Sequence, residues 1–406
     1  MNRVYQLYSS LPEPELLRTW AEIDLDALRH NYRILRQTAQ SGGNAGVRMI
    51  AVVKADAYGH GAPECVRVLL EEGCDFFAVS CIDEAIAVRQ ICDRAKRDAD
   101  ILILGYTFPG LADRLARYDL IQTLLSEEYA RELNAAAADA DVLIRTHVAL
   151  DTGMSRIGFP AHGGKETERT AAAIMRVRDL ERLRLEGLFT HFARADEDDP
   201  DGEKATGEQS ARYRAVCDAL SGRGVRLSFH HVCNSAATVL RPQDRMDGVR
   251  LGILLYGAYS CERIALPLRP VMKLRTVIVH VCRLLPGERV SYGGRFRAEE
   301  ERLIATLSIG YADGFLRAYS GASVTVECSD GPHTVPIVGR ICMDQCMIDV
   351  TGTDAKPGDR VTLFGYRPGD LHEFAVRAGT IDYECLCMIS SRVSRVYPEP
   401  SGQQEE

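Results

Sequence analysis

The sequence predicts an α/β chain, with a (β/α)8 TIM-type barrel over residues 20–259 followed by a mainly β domain over 260–398. Three observations carry that expectation. At 406 residues the chain exceeds the size at which a single core stops growing. From Met49 to about Leu251, short apolar runs alternate with amphipathic segments eight times. Strand and helix repeated that often point to a parallel sheet closed on itself. Beyond Tyr256 the texture changes to β-branched runs split by Gly, Pro and Asp turns.

The elements follow in chain order. "RTWAEIDLDALRHNYRILRQ" reads as a short strand near 20–25, a cap at Asp24 or Asp26, and an amphipathic helix; the strand is free to join either domain. Eight apolar runs then mark the barrel strands. They are "MIAVVKA" (49–55), "FFAVS" (76–80), "ILILG" (101–105), "LIQTLL" (120–125), "VLIRTHVAL" (142–150), "LRLEGLFTH" (183–191), "LSFHHV" (227–232) and "DGVRLG" (247–252). Between them, "APECVRVLLEEG" shows an apolar helical face ending at Gly73, and "SEEYARELNAAAAD" opens on Ser126 as an N-cap. The acidic "ADEDDPDGEKATGEQS" (195–210) reads as a solvated loop. "LRTVIVHVCRLL", "ERLIATLSIGYADG", "ASVTVECSDGPHTVPIVGRICMDQCMIDV" and "DRVTLFGY" supply the strands of the second domain. Residues 399–406 are expected to form a disordered tail.

Hydrophobic residues make up 46% and charged residues 26% of the chain, the balance of a soluble globular protein. The net charge of -8 and the lack of long basic runs argue against nucleic acid as the main partner. No apolar stretch suffices to span a bilayer, and the N-terminal residues lack a signal-peptide apolar segment, so a cytoplasmic location is expected. The 13 cysteines include no C-x-x-C pair. They read as small buried hydrophobes of a reducing compartment, with Cys65, Cys92, Cys217 and Cys282 in apolar surroundings. His230 and His231 read as packing or supporting groups, and no pattern completes a metal site.

Lys54 ends the first barrel run, and residues at the C-terminal ends of barrel strands face the catalytic mouth. A lysine in that place has a lowered pKa and can form an imine with an aldehyde, its role toward pyridoxal phosphate. The turn that follows, with Tyr58, Gly59, His60 and Gly61, favours that role over a structural ion pair. A phosphate site would accompany it, in the loops after strands seven and eight. Asn234 and Ser235 in "CNSAAT", and Gly252 and Ile253 in "RLGILLYG", offer a hydroxyl and exposed backbone N–H groups at those two places.

Eight ordered motifs resemble the alanine racemase family over about residues 20 to 396: "VVKADAYGHG", "DTGMSRIG", "GLFTHFARAD", "HHVCNSAA", "VRLGILLYG", "SIGYADG", "VGRICMDQ" and "IDYECLCMISSRV". The resemblance implies a pyridoxal-phosphate enzyme that interconverts L- and D-alanine and supplies D-alanine for cell-wall peptidoglycan. It implies that Lys54 holds the cofactor as an imine, that Tyr58, Ser235, Gly252, Ile253 and Tyr383 hold its phosphate, and that Arg250 faces the pyridine nitrogen. Carrying a proton from one face of a planar group to the other calls for two bases. Lys54 is one, and the resemblance makes Tyr311 the other, delivered across a head-to-tail homodimer. A tyrosine with a pKa near 10 is a poor base at neutral pH, and His191 and Arg250 form the relay expected to support it. An arginine does not give up its proton, so the ring nitrogen it faces stays largely unprotonated. The structural alternative pairs Arg250 with Asp247 or another acid.

The resemblance also sets Arg156 near the cofactor's phenolic oxygen and the substrate carboxylate, and Met343 and Asp344 in the segment that closes the substrate site. One position departs from the pattern. Many relatives carry a lysine two residues before the Asp of "DTGM"; here Ala149 stands there. Arg156 is left to be held by an anion or another side chain.

Three other readings can be separated from this one. A serine racemase of the glycopeptide-resistance type shares the fold, but the Tyr383 hydroxyl narrows the pocket in favour of alanine, and such enzymes usually carry a membrane domain. A non-catalytic pyridoxal-phosphate carrier resembles the barrel alone and has no use for Tyr311. A barrel-type amino-acid decarboxylase tends to set a carboxylate at the ring nitrogen, where this chain has Arg250.

Overall fold

The computed structural model describes residues 17–259 and 261–398; the expected tail at 399–406 lies outside them. The chain opens with β1 (Thr19–Ile23) and α1 (Leu25–Ala39). Asp24 caps that helix, its carboxylate accepting from Ala27 N at 2.8 Å. Strand and helix then alternate through β2 (Arg48–Val52), α2 (Lys54–Tyr58), α3 (Ala62–Glu71), β3 (Phe76–Val79), α4 (Ile82–Ala95) and β4 (Asp100–Ile103). Next come α5 (Ala112–Arg117), β5 (Ile121–Leu124), α6 (Glu127–Asp139), β6 (Ile144–Asp151), a short β7 (Phe159–Pro160) and α7 (Lys165–Arg178). Then follow β8 (Leu183–Thr190), α8 (Pro200–Ser221), β9 (Phe229–His231), α9 (Ser235–Leu240) and β10 (Gly248–Leu251).

The parallel order is β10-β2-β3-β4-β5-β6-β8-β9, with β7 beside β6. Asp247 N to His230 O at 3.0 Å and Arg250 N to Cys233 O at 2.9 Å join the two end strands and close the barrel. All eight strands fall on the predicted apolar runs. A barrel strand is covered by interior side chains on one face and helices on the other, so its sequence shows little alternation.

The second unit is antiparallel. It contains β11 (Met272–Leu284), the separate pair β12 (Arg289–Val290) and β13 (Phe296–Arg297), then β14 (Arg302–Leu307), β15 (Ser323–Cys328) and β16 (Gly331–Val338). β17 (Cys346–Asp349), β18 (Arg360–Phe364), α10 (Asp370–Ala378), α11 (Asp382–Cys387) and β19 (Ser394–Val396) complete it. The order β14-β17-β16-β15-β18-β11-β1-β19, with β14 also pairing β11, wraps this sheet into a smaller barrel. β1 pairs antiparallel with β11 and parallel with β19. The N-terminal strand therefore joins the second sheet.

Two expectations are corrected. Residues 200–210 are not loop but the first half of α8. Asp199 accepts from Gly202 N at 2.6 Å and Pro200 takes the first helical position. The acidic residues crowd the first turn, where the helix dipole favours them, so their charge marks a helix start. Cys282 is exposed, because it lies on the outer stretch of β11 where the inward–outward alternation breaks. Cys65 and Cys92 are buried as expected, Cys217 is half-buried, and all thirteen cysteines are free thiols. Among the described residues no helix is long and apolar enough to cross a membrane.

Candidate active site

β2 stops at Val52, two residues before the lysine, and the chain then winds left-handed. Ala55, Asp56, Ala57 and Tyr58 take φ between 51° and 55°, a helical turn of the uncommon hand built without glycine. Such a conformation costs roughly 1–2 kcal/mol per residue, and groups from distant elements hold it. Glu84 on α4 accepts from Ala55 N at 2.6 Å, and Asp56 accepts from Ala62 N at 2.7 Å. Arg395 donates to Gly59 O at 2.9 Å and Tyr397 to His60 O at 3.2 Å. Lys54, at the head of this turn, lines a cavity at the barrel mouth. Burial and the neighbouring Arg156 guanidinium push its pKa down, against the opposing pull of Cys387 and Glu84.

The cavity holds about 410 Å³. Lys54, Tyr58, Arg156, His191, Asn234, Ser235, Arg250, Gly252, Ile253 and Tyr383 all line it. Three of these side chains are cationic, and the lining contains no Asp or Glu. The Tyr58 ring packs against Tyr256 at 4.9 Å and Tyr383 at 6.0 Å between centroids. Gly252 N donates to Ser235 Oγ at 2.9 Å, and a Cβ on Gly252 would lie 2.5 Å from the Tyr58 hydroxyl oxygen. Glycine thus keeps open a cradle of hydroxyls and backbone. Cations and hydroxyls without an acid are the donors a phosphorylated ligand takes, so the residues present fit such a cofactor.

The Asn234 side chain accepts from Ala237 N at 3.0 Å and caps α9, so it borders the cavity as a helix cap. Arg156 forms no ion pair among the described residues, and the buried Ala149 leaves the place of the usual lysine empty of charge.

Tyr311, Met343 and Asp344 do not line this cavity. They stand together on the surface of the β domain, where Tyr311 N donates to Cys342 O and Ala312 N to Met343 O, both at 3.0 Å. Tyr311 is 43% and Met343 54% exposed. Asp344 pairs with Arg392 at 2.8 Å. The sequence-derived residues therefore divide into ten that converge and three that gather elsewhere.

Arg250 on β10 is 3% exposed and meets no acid. Nη1 donates to His231 O at 2.7 Å and His231 Nδ1 at 2.8 Å. Nη2 donates to Thr190 O at 2.7 Å, Val232 O at 3.0 Å and His191 Nδ1 at 3.3 Å. The alternative partner Asp247 instead accepts from His230 N at 2.7 Å. A guanidinium only donates, and that fixes the tautomers behind it. His231 Nδ1 must accept, so its Nε2–H donates to His147 Nδ1 at 3.1 Å. His191 likewise accepts through Nδ1 and keeps its proton on Nε2. Burial first, then the Arg250 charge, brings His191 down to about 3 and His231 well below its ordinary value.

The sequence reading missed several members of this network. His147 had one signal, the alternation in "HVALD": His147, Ala149 and Asp151 occupy every second position of β6 and so share a face. Gly187 makes room for it, since a Cβ there would lie 2.7 Å from the His147 ring. Phe189 stacks on His231 at 4.8 Å and carries the Arg250 guanidinium at 5.3 Å from its centroid. Gln209 on α8 donates to His191 O at 3.1 Å and accepts from Ala193 N at 2.9 Å. His231 proves to be a direct partner of Arg250, while His230 bonds the Tyr213 hydroxyl at 2.8 Å.

These buried imidazoles make the fold acid-sensitive. Burial lowers His60 to about 4, His147 to about 3 and His191 to about 3, and holds His231 well below its ordinary value. Each folded pKa lies below the unfolded value of about 6.5, so below that pH the unfolded chain binds protons that the folded chain refuses. The stabilisation is full above pH 6.5 and is lost as pH falls, by up to about 2 kcal/mol per histidine at pH 5. Melting temperature measured at successive pH values should drop steeply between 6.5 and 5, with roughly four protons taken up on unfolding at the lower end. A level profile over that range contradicts the burial argument.

Two family descriptions match the chain, "Alanine racemase, N-terminal domain" over residues 23–260 and "Alanine racemase, C-terminal domain" over 271–397. An alanine racemase of Clostridium tetani is 41% identical over 387 residues, covering 93% of this chain and 95% of the relative. One of Desulfovibrio desulfuricans is 40% identical over 383 residues, covering 94% and 98%. Among solved structures, the alanine racemase of Clostridium difficile 630 superposes with a TM-score of 0.84 at 38% identity, covering 94% of this chain and 96% of that one. The Bacillus anthracis alanine racemase with bound L-Ala-P gives 0.83 at 34% identity, covering 96% of each chain.

Proposed function

The chain belongs to the alanine racemase family, and from that premise we propose that it interconverts L- and D-alanine with pyridoxal phosphate held in the Lys54 cavity. One observation carries the reading. Ten residues spread from position 54 to 383 meet around one cavity that has three cations, several hydroxyls and no acid.

Pyridoxal phosphate, when bound, supplies an aldehyde that takes up amines and a ring that draws electrons from the adjoining carbon. Lys54 would hold it covalently, with Tyr58, Ser235, Gly252, Ile253 and Tyr383 on its phosphate. Arg250 would face the ring nitrogen as a donor that keeps its charge, and no acid lines the cavity to protonate that nitrogen. Arg156 is the cation for the amino-acid carboxylate. The Lys54 amine, its pKa lowered by burial and Arg156, serves as the base on one face.

Tyr311 serves the other face, contributed by the partner subunit of a head-to-tail homodimer. Its exposure in a single chain, and its position outside the cavity, support a site that a second copy completes. His191, held by Arg250 in the tautomer that donates through Nε2, is the group that steadies the phenolic oxygen when it releases its proton. Met343 and Asp344, beside Tyr311, close the substrate end from the same partner surface. We infer a cytoplasmic enzyme that supplies D-alanine to peptidoglycan.

The other readings have less to stand on. A decarboxylase lacks its carboxylate here, and a carrier has no need of the second domain. Incubating the purified protein with pyridoxal phosphate and either L-alanine or L-serine, then resolving the enantiomers, tests the proposal. D-alanine should form with a kcat/KM at least about 10-fold above that for serine. Faster D-serine formation overturns the substrate assignment, and no D-isomer from either overturns the activity.

A further inference from the structure

Away from the cavity, the hairpin of β15 and β16 turns through Ser329 and Asp330, and its register sets two metal-binding side chains on one face. Val326 pairs with His333 and Cys328 with Gly331. Directly opposed residues share a face and side chains alternate along a strand, so Cys328, two positions beyond Val326, faces the same way as His333. The Cys328 sulfur, an Asp330 oxygen and a His333 nitrogen lie within 4.8 Å of one another. His333 Nε2 is 2.7 Å from Asp330 Oδ1.

A fourth donor comes from the loop after β17. The Asp354 carboxylate accepts from the Ser329 hydroxyl, which sets it beside the hairpin turn. Cys328, Asp330 and His333 thus form one compact group, with the Asp354 carboxylate at its edge through Ser329. Neither carboxylate pairs with an arginine or lysine within 4 Å among the described residues, and Lys356 acts on Asp354 only from a distance. Such a group has more anionic donors than cations to balance them.

We propose that Cys328, Asp330, His333 and Asp354 bind a divalent transition-metal cation of the zinc or cobalt(II) class. One sulfur, one imidazole nitrogen and two carboxylate oxygens make a borderline set that suits these ions, whereas calcium and magnesium take oxygen alone. A tetrahedral ion with metal–sulfur bonds of about 2.3 Å and metal–nitrogen or –oxygen bonds of about 2.0 Å needs donors about 3.3–3.6 Å apart. His333 is half-buried and Asp330 and Asp354 are exposed, so their side chains have room to turn toward that spacing. On binding, the Cys328 proton leaves to solvent and the sulfur lone pair forms the bond to the metal. The ion would clip the hairpin tip to the loop at Asp354.

Adding Co2+ to metal-stripped holoenzyme tests this. The intense visible absorption of tetrahedral, thiolate-bound cobalt should saturate at one equivalent per chain, and Zn2+ should bleach it. Cys328→Ser and His333→Asn should each weaken binding at least about 10-fold while racemisation is retained, because none of the four residues lines the Lys54 cavity. An equally strong band in Cys328→Ser, or none in the wild type at excess Co2+, overturns the site. As a second measurement on the wild type alone, Zn2+ should slow alkylation of Cys328 by iodoacetamide at least about 10-fold, read by peptide mass spectrometry. Unchanged labelling rejects the proposal even where a variant misfolds.

Discussion

A Lys54→Ala enzyme should form D-alanine at about 10⁻³ of the wild-type rate or less, because in the mechanism we propose the change removes both the covalent anchor of the cofactor and one of two bases. The loss should be chemical and not structural. Lys54 lies at the rim of the cavity and only partly buried, on a turn held by Glu84, Arg395 and Tyr397, none of which bonds to its side chain. Melting temperature should therefore stay within a few degrees of wild type. A diffusible amine can stand in for the missing side chain. Methylamine added to the Lys54→Ala enzyme should restore part of the activity, in proportion to its free-base fraction, since only the unprotonated amine abstracts a proton. Lys54→Arg makes a useful contrast: it keeps a cation in the cavity but offers no free amine at neutral pH, so it should be as inactive as alanine. Activity above about a tenth of wild type in either variant removes Lys54 from the chemistry.

How much of this could be read from the sequence depends on the distance over which each feature is decided. The eight barrel strands were legible because each is a short apolar run followed by a helix, a local pattern. β1 was ambiguous for the opposite reason. Its partners β11 and β19 lie roughly 250 and 370 residues further on. Lys54 was recognisable by its place after an apolar run, but the left-handed turn that orients it was not. Local preference sets four such non-glycine residues against that conformation, and the compensating bonds come from Glu84, Arg395 and Tyr397. The start of α8 was visible in Asp199 and Pro200, yet its acidic first turn was taken for solvated loop, which also hid Gln209. The Arg250–His231–His147 chain joins β10, β9 and β6, brought together by barrel closure that no short-range pattern encodes. The role proposed for Tyr311 had no local signal at all and came from the family resemblance.

The proposed second base, Tyr311, admits a sharper test than a point mutation. Tyr311→Phe should lower racemisation by about 10²-fold or more, as loss of a general base does, but that result alone leaves open whose cavity the tyrosine serves. In one chain the cavity of Lys54, His191 and Arg250 lacks Tyr311, while Tyr311, Met343 and Asp344 form an exposed group of their own. Two half-sites on one chain can be united by a two-fold axis. A two-fold dimer makes each contact twice, so both sites are completed together. Co-expressing Lys54→Ala and Tyr311→Phe chains under different affinity tags, and purifying the mixed dimer through both, separates the possibilities. If Tyr311 acts across the interface, the mixed dimer has one site with both residues intact and one with neither, so its activity should be about half that of wild type. If each tyrosine serves its own chain, every site in the mixed dimer lacks one base and activity stays at the level of the parents. Both parents would be nearly inactive, so the comparison is half against almost nothing. A mixed dimer no more active than its parents therefore ends the case for a shared site, however strongly either single mutation acts.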